Sequence, residues 1–101
     1  MDEIERLPEY TEFQWDKGNV EKNWLKHKVT PLECEQLFFN QPLLVVEDPK
    51  HSRRERRYYA LGHIDDARLL FVAFTIRRGL IRVISARDMS RKEREKYEKD
   101  Y

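Results

Sequence analysis

The stretch Arg77–Tyr97, RRGLIRVISARDMSRKEREKY, decides how this chain is read. Leu80, Ile81, Val83 and Ile84 are apolar and mostly β-branched, which suits a half-buried strand over Leu80–Arg87. Arg78-Gly79 reads as the turn that enters it. Ser90, Arg91, Lys92 and Glu93 form a capping box, so a helix opens there and runs to about Tyr101. That helix is poor in apolar residues, and Met89 and Tyr97 are its expected docking points. Charged side chains sit on such a strand only where they reach solvent or a partner, yet Arg82 and Arg87 lie within it. A guanidinium can grip phosphate through two parallel hydrogen bonds. Facing carboxylates, the same groups would instead form a solvated sheet surface. Strand alternation puts Arg82 and Arg87 on opposite faces.

Upstream, Arg68–Arg77 is the most apolar segment and is predicted as the central strand. Asp65-Asp66 makes the turn before it. Arg57–Ile64 is the next strand, with Tyr59 and Leu61 on one side and Tyr58 and Ala60 on the other. Leu43–Val46 is a short apolar strand, and Glu47–Glu55 is a polar loop carrying Pro49 and a basic run. Thr30-Pro31-Leu32-Glu33 is a second capping box with proline at the first helical position. Its helix stops before Pro42 and turns Leu32, Leu37 and Phe38 to the core, with Cys34 nearby. Val20–Lys28 is read as a helix capped by Asp16 or Asn19 and presenting Val20, Trp24 and Leu25. Phe13 and Trp15 alternate with polar residues as a first short strand. Residues 1–11 read as a flexible N-terminal arm, and residues 12–101 as one domain. The expected class is α+β, with a small antiparallel sheet of four to five strands packed against two N-terminal helices and one C-terminal helix.

At 101 residues the chain makes one modest core. Its charged fraction of 39% exceeds the usual ~25%, yet the net charge is only +1, so distribution matters more than sum. Asp2, Glu3, Glu5, Glu9 and Glu12 make the start acidic. Arg53, Arg54, Arg56, Arg57, Arg68, Arg77, Arg78, Arg82 and Arg87 make the sheet region basic, and a basic face attracts phosphate. Cys34 is the single cysteine, which excludes an internal disulfide and a cysteine-rich zinc site. His27, His51 and His63 lack metal-ligand spacing, and neither metal nor cofactor is expected. With no 18-residue apolar run and no signal-peptide pattern, the chain reads as soluble and cytoplasmic, with no membrane partner.

Phe13-Gln14-Trp15-Asp16, followed by Asn23, Lys26 and His27, resembles the opening of the BrnT family of toxins. So do the capped helix with Phe38, Phe39 and then Pro42, and Arg57 with Ala60-Leu61-Gly62. Leu69–Thr75, Ile84-Ser85-Ala86-Arg87, and Glu93-Arg94 with Tyr97 continue the match. The resemblance covers nearly all of residues 13–97. It implies a RelE-like fold and the toxin half of a type II toxin-antitoxin pair, which inhibits translation by cutting RNA. It also implies a ribbon-helix-helix antitoxin like BrnA, operator DNA reached only through that antitoxin, and a heterotetramer of two toxins and two antitoxins. Family members carry glycine after the Lys-His pair. Here Lys28 stands there, and must take a left-handed conformation if the helix ends in the same way.

Metal-independent RNA cleavage needs a base for the ribose 2′-hydroxyl, donors for the charge growing on phosphoryl oxygens, and an acid for the departing oxygen. Arg87 is the leading phosphate candidate, with a salt bridge to Glu93 or Asp88 as its alternative role. Arg77 ranks above Arg82, and Arg57 can join them. Lys26 and His27 are candidates for charge and proton transfer, although His27 can equally tie the helix end to the sheet. Trp15 is a candidate base-stacking platform or a packing residue beneath the first helix. Arg54 and His51, in the basic loop, are candidates for RNA contact. The competing expectation is an inactive toxin-fold module that only binds the antitoxin and modulates operator binding.

Overall fold

The computed structural model describes residues 3–4, 12–52, 54–65 and 67–100. The elements are β1 (Glu3–Ile4), β2 (Glu12–Gln14), α1 (Lys17–His27), α2 (Pro31–Phe39), β3 (Leu44–Glu47), β4 (Arg57–His63), β5 (Leu69–Arg77), β6 (Leu80–Asp88) and α3 (Arg91–Asp100). A 3₁₀ turn, Pro49–His51, sits in the loop between β3 and β4. The expected N-terminal arm lies outside the described residues, apart from Glu3–Ile4, which pair with β3. The Asp65-Asp66 turn is described only at Asp65.

The strands lie in the order β1-β3-β4-β5-β6-β2. The antiparallel expectation holds from β1 to β6, but β2 runs parallel to β6, so the six-stranded sheet is mixed. A parallel neighbour needs a long crossover, and everything from α1 to β5 supplies it. Arg78 and Gly79 have φ of 53° and 76°, the left-handed pair that a two-residue hairpin with the right twist requires.

Two clusters of buried side chains lie on opposite sheet faces. Val45, Tyr58, Ala60, Leu70, Val72, Phe74, Ile81, Val83 and Ala86 pack with Cys34, Leu37 and Phe38 of α2. Phe38 sets its ring edge-on to both Phe74 and Phe13. Gly62 permits this approach, since a Cβ there would lie 2.9 Å from Leu37 Cγ. On the other face Leu44, Val46 and Leu61 pack with Met89, just before α3, and with Tyr97 of α3. Burial pushes the Cys34 thiol up to about 12, aided by Glu33 and Glu35, leaving it an inert packing group.

Helix α1 departs from the expected orientation. Trp24 and Leu25 are 48% and 67% exposed, and in α2 Leu32 is 66% exposed. The residue that α1 buries is Asn23. The cause is the edge of β6. β2 pairs only with Leu80–Arg82, so beyond that point the outer edge of β6, away from β5, lacks a strand neighbour among the described residues. α1 runs along this edge. Asn19 Nδ2 donates to Val83 O at 3.4 Å, and Asn23 Oδ1 accepts from Ala86 N at 3.2 Å. Amide side chains, not apolar ones, complete an open ladder.

Asp16 caps α1 and Thr30 caps α2, the latter with the full reciprocal box to Glu33. α1 ends at Lys28, which takes the left-handed conformation (φ 55°, ψ 45°) expected of a glycine, with Lys28 N donating to Trp24 O. Lys28 Nζ lies 4.9 Å from the centre of the Trp24 ring.

Candidate active site

Arg57, Thr75 and Arg82 stand side by side across β4, β5 and β6 on the α3 face of the sheet. Arg87 lies on that face too, opposite Phe71. Simple alternation forbids this, and a β-bulge restores it. Pairing steps from Val83–Phe74 to Ser85–Ala73, leaving Ile84 without a counterpart, so every later β6 side chain changes face. The Arg82 and Arg87 rows are then roughly 13 Å apart, at about 3.3 Å per residue.

At the Arg57 end lies an open cleft of about 280 Å³ lined by His51, Arg54, Glu55, Arg57 and Thr75. Two buried polar atoms there lack hydrogen-bond partners among the described residues: Thr75 Oγ1 and Arg57 Nε. Leaving such an atom unpaired costs about 1–3 kcal/mol, and each instance calls for an explanation such as a ligand. Glu55 takes two hydrogen bonds from Arg77, at 2.8 and 3.2 Å, which hold its carboxyl below the ordinary range. The loop that frames the cleft is stitched to β4. Asp48 N donates to Arg57 O at 2.8 Å, Ser52 Oγ donates to Asp48 O at 2.6 Å, and Arg57 N donates to Ser52 Oγ at 2.9 Å. Within the loop, His51 Nδ1 lies 2.8 Å from Asp48 Oδ2.

A family model for "Ribonuclease toxin, BrnT, of type II toxin-antitoxin system" matches residues 15–93. The chain belongs to the BrnT family. It is thereby a ribonuclease toxin of the type II toxin-antitoxin class, with RNA as substrate and an antitoxin as partner at the level of the family. The crystal structure of the Brucella abortus ribonuclease toxin BrnT is similar in fold, with a TM-score of 0.57 and 20% identity over 79% of this chain and 97% of that one. No curated protein sequence matches the chain. Among the described residues no helix is long and apolar enough to cross a membrane, and no group of three His, Cys, Asp or Glu side chains could hold a metal ion.

Within this BrnT fold the other candidates from the sequence lie elsewhere. Arg87 donates to Glu93 at 2.8 and 3.0 Å, and its guanidinium carbon sits 4.1 Å from the centre of the Phe71 ring. Burial works to raise the Glu93 carboxyl, but bonds from Arg87 and the Ser90 backbone outweigh it and hold it low. Lys26 and His27 close α1 at the far end of β6, where Arg68 donates to the carbonyls of His27 and Lys28 and to Asp88 Oδ1. Arg82 has a looser ion pair, 3.8 Å to Asp16. Trp15 Nε1 donates to Glu35 at 2.8 Å while its ring stacks on Phe13. The cleft therefore gathers Arg54, Arg57 and the flanking Arg77, but neither Lys26 nor His27. Sequence reasoning passed over Thr75 and Glu55. Thr75 had a visible signal, since it is the one hydroxyl in a strand that is apolar up to its terminal Arg77.

Proposed function

We propose that this chain is a metal-independent endoribonuclease that inhibits translation by cutting RNA at the Arg57–Thr75 cleft. The observation that carries the reading is the pair of buried, unpartnered polar atoms, Thr75 Oγ1 and Arg57 Nε, beside a cleft with a second arginine, Arg54. A phosphodiester entering the cleft would accept from both atoms and supply the hydrogen bonds that the described residues leave unmade. Arg54 and Arg57 then stabilise charge on the non-bridging oxygens, and Arg77 and Arg82 steer the flanking backbone. The ribose 2′-hydroxyl attacks in line, leaving a 2′,3′-cyclic phosphate and a 5′-hydroxyl. Arg87, Lys26, His27 and Trp15 lie outside the cleft and take no step in the cut. The chain acts in the cytoplasm, and its antitoxin is a ribbon-helix-helix protein that forms a two-to-two complex with it and alone contacts operator DNA.

The test is induced expression with and without the antitoxin, reading growth and RNA integrity together, followed by cleavage in vitro in the presence of a chelator. Growth arrest, cut RNA with cyclic phosphate ends and loss of both in Arg57→Ala are expected. Intact RNA and harmless expression would instead favour the antitoxin-binding module without catalysis, a reading that the carboxylate-held Arg87 supports.

A further inference from the structure

The cleft has phosphate donors, but the chemistry also needs a proton acceptor, and the candidates Lys26 and His27 lie at the other end of β6. We infer that His51 is the general base of the cut, acting through Nε2, with Asp48 as the positioning residue that fixes its tautomer. This rests on the ribonuclease reading of the cleft.

Three observations carry the inference. His51 lines the same cleft as Thr75 and Arg57, so it shares the volume a scissile phosphate would occupy. Its Nδ1 is 2.8 Å from Asp48 Oδ2, and a carboxylate accepts only, so the ring proton sits on Nδ1 and the lone pair on Nε2. The loop is also fixed to the phosphate-binding strand. Ser52 Oγ bridges Asp48 O and Arg57 N, while Asp48 N donates to Arg57 O, so the imidazole and Arg57 are set in one frame. His51 is largely exposed, so no buried network competes for Nε2, and Arg54 and Arg57 also line its cleft. The charged groups facing it are Asp48, Arg54, Glu55 and Arg57, with Lys50 adjacent in the turn. Glu55 is the rival base. It is already engaged by Arg77 and held below its ordinary range, which makes it a weaker proton acceptor.

In the step, the 2′-O–H proton moves to His51 Nε2 while the 2′-oxygen forms its bond to phosphorus. The bond from phosphorus to the 5′-oxygen breaks. That oxygen leaves with the electron pair and takes a proton from solvent water at the open side of the cleft. The imidazolium, paired with Asp48, then returns its proton to solvent.

The test is the pH–rate profile for cleavage of a short RNA by wild type, His51→Gln, Asp48→Asn, Asp48→Glu and Ser52→Ala, with thermal melts as the control for folding. Wild type should lose rate on the acid side of its profile, where a general base is protonated. His51→Gln should lose about 100- to 10,000-fold together with that acid limb, at an unchanged melting temperature. Asp48→Asn should lower the rate at an unchanged melting temperature, because Nδ1–H loses the carboxylate that fixes the tautomer, and Asp48→Glu, which keeps a carboxylate, should recover part of it, a rescue that loss of loop structure alone does not produce. Ser52→Ala should lower the rate with the limb in place. Wild-type cleavage with an undiminished rate in His51→Gln overturns the assignment alone, as does an acid limb that persists there near the carboxylate range, which would make Glu55 the base. A wild type that leaves RNA intact overturns the ribonuclease reading as well.

Discussion

The two ends of the β5–β6 face carry arginines of opposite character. At one end Arg87 and Arg68 have their donors taken by Glu93, Asp88 and the carbonyls that close α1. At the other, Arg77 is held by Glu55 and Arg82 loosely by Asp16, but Arg57 makes no ion pair among the described residues and leaves Nε buried without a partner there, next to an equally unpartnered Thr75. The same side-chain type thus closes the structure at one end and opens a cleft at the other. Counting arginines does not locate a phosphate site. What locates it is whether the donors are already satisfied, because an occupied guanidinium must break a charge-assisted bond before it can bind RNA.

The sharpest way to break this comparison is to remove one arginine from each end. Arg57→Ala should lower RNA cleavage by about 100-fold, on the order of 3 kcal/mol of lost charge stabilisation, with little change in unfolding free energy. Arg68→Ala should do the reverse, costing about 2 kcal/mol in urea unfolding through its charged hydrogen bonds to the α1 terminus and Asp88, while keeping most of the activity. Equal losses of activity in both would erase the distinction. Thr75→Val sharpens it further. Removing a buried hydroxyl with no partner should raise stability by about 1 kcal/mol and still reduce cleavage, and a variant that gains stability at full activity would remove Thr75 from the site.

Acid should separate the ends as well. The Glu93 carboxyl, held below its usual 4.5 by Arg87 and Ser90 against the opposing effect of burial, stabilises the fold fully above that value. This contribution fades as pH falls through the lowered folded-state value and is gone beneath it. Asp88, held below 3.8 mainly by its bond from Arg68, behaves alike. Glu93→Gln should therefore melt lower than wild type at pH 7 and show a shallower drop in melting temperature between pH 5 and 3. An unchanged acid slope would mean that the Arg87 clamp contributes nothing. The smallest effect is expected at Lys28→Gly, where relief of a left-handed lysine, about 1 kcal/mol, is partly offset by the lost contact with Trp24 and the greater freedom of glycine in the unfolded chain. A net gain of about 0.5 kcal/mol in chemical denaturation is anticipated, with cleavage unaltered.

Much of the fold was legible because its signals are local. The boxes Thr30/Glu33 and Ser90/Glu93 both form as read, and the helix of the second docks through Met89 and Tyr97. The apolar run of β5 lies between β4 and β6, as an element apolar on both faces should. The failures were also physical. Trp24 and Leu25 fit a helical stripe, but α1 packs against a strand edge that demands hydrogen bonds, so Asn19 and Asn23 face inward instead. Of the candidate site, Arg54, Arg57 and Arg77 were read from the sequence. His51 was read only as an RNA contact, and Thr75 and Glu55 not at all, because their importance rests on partners far along the chain.

By itself the sequence determined the helices, the strands other than Glu3–Ile4, their caps and the family, since periodicity, turn chemistry and motif order act over a few residues. Only the tertiary structure decided which arginines remain able to grip a ligand. That outcome depends on the single extra residue at Ile84, on β2 pairing parallel to β6, and on carboxylates brought in from other elements. Register and non-local pairing fix these, and no local pattern encodes them.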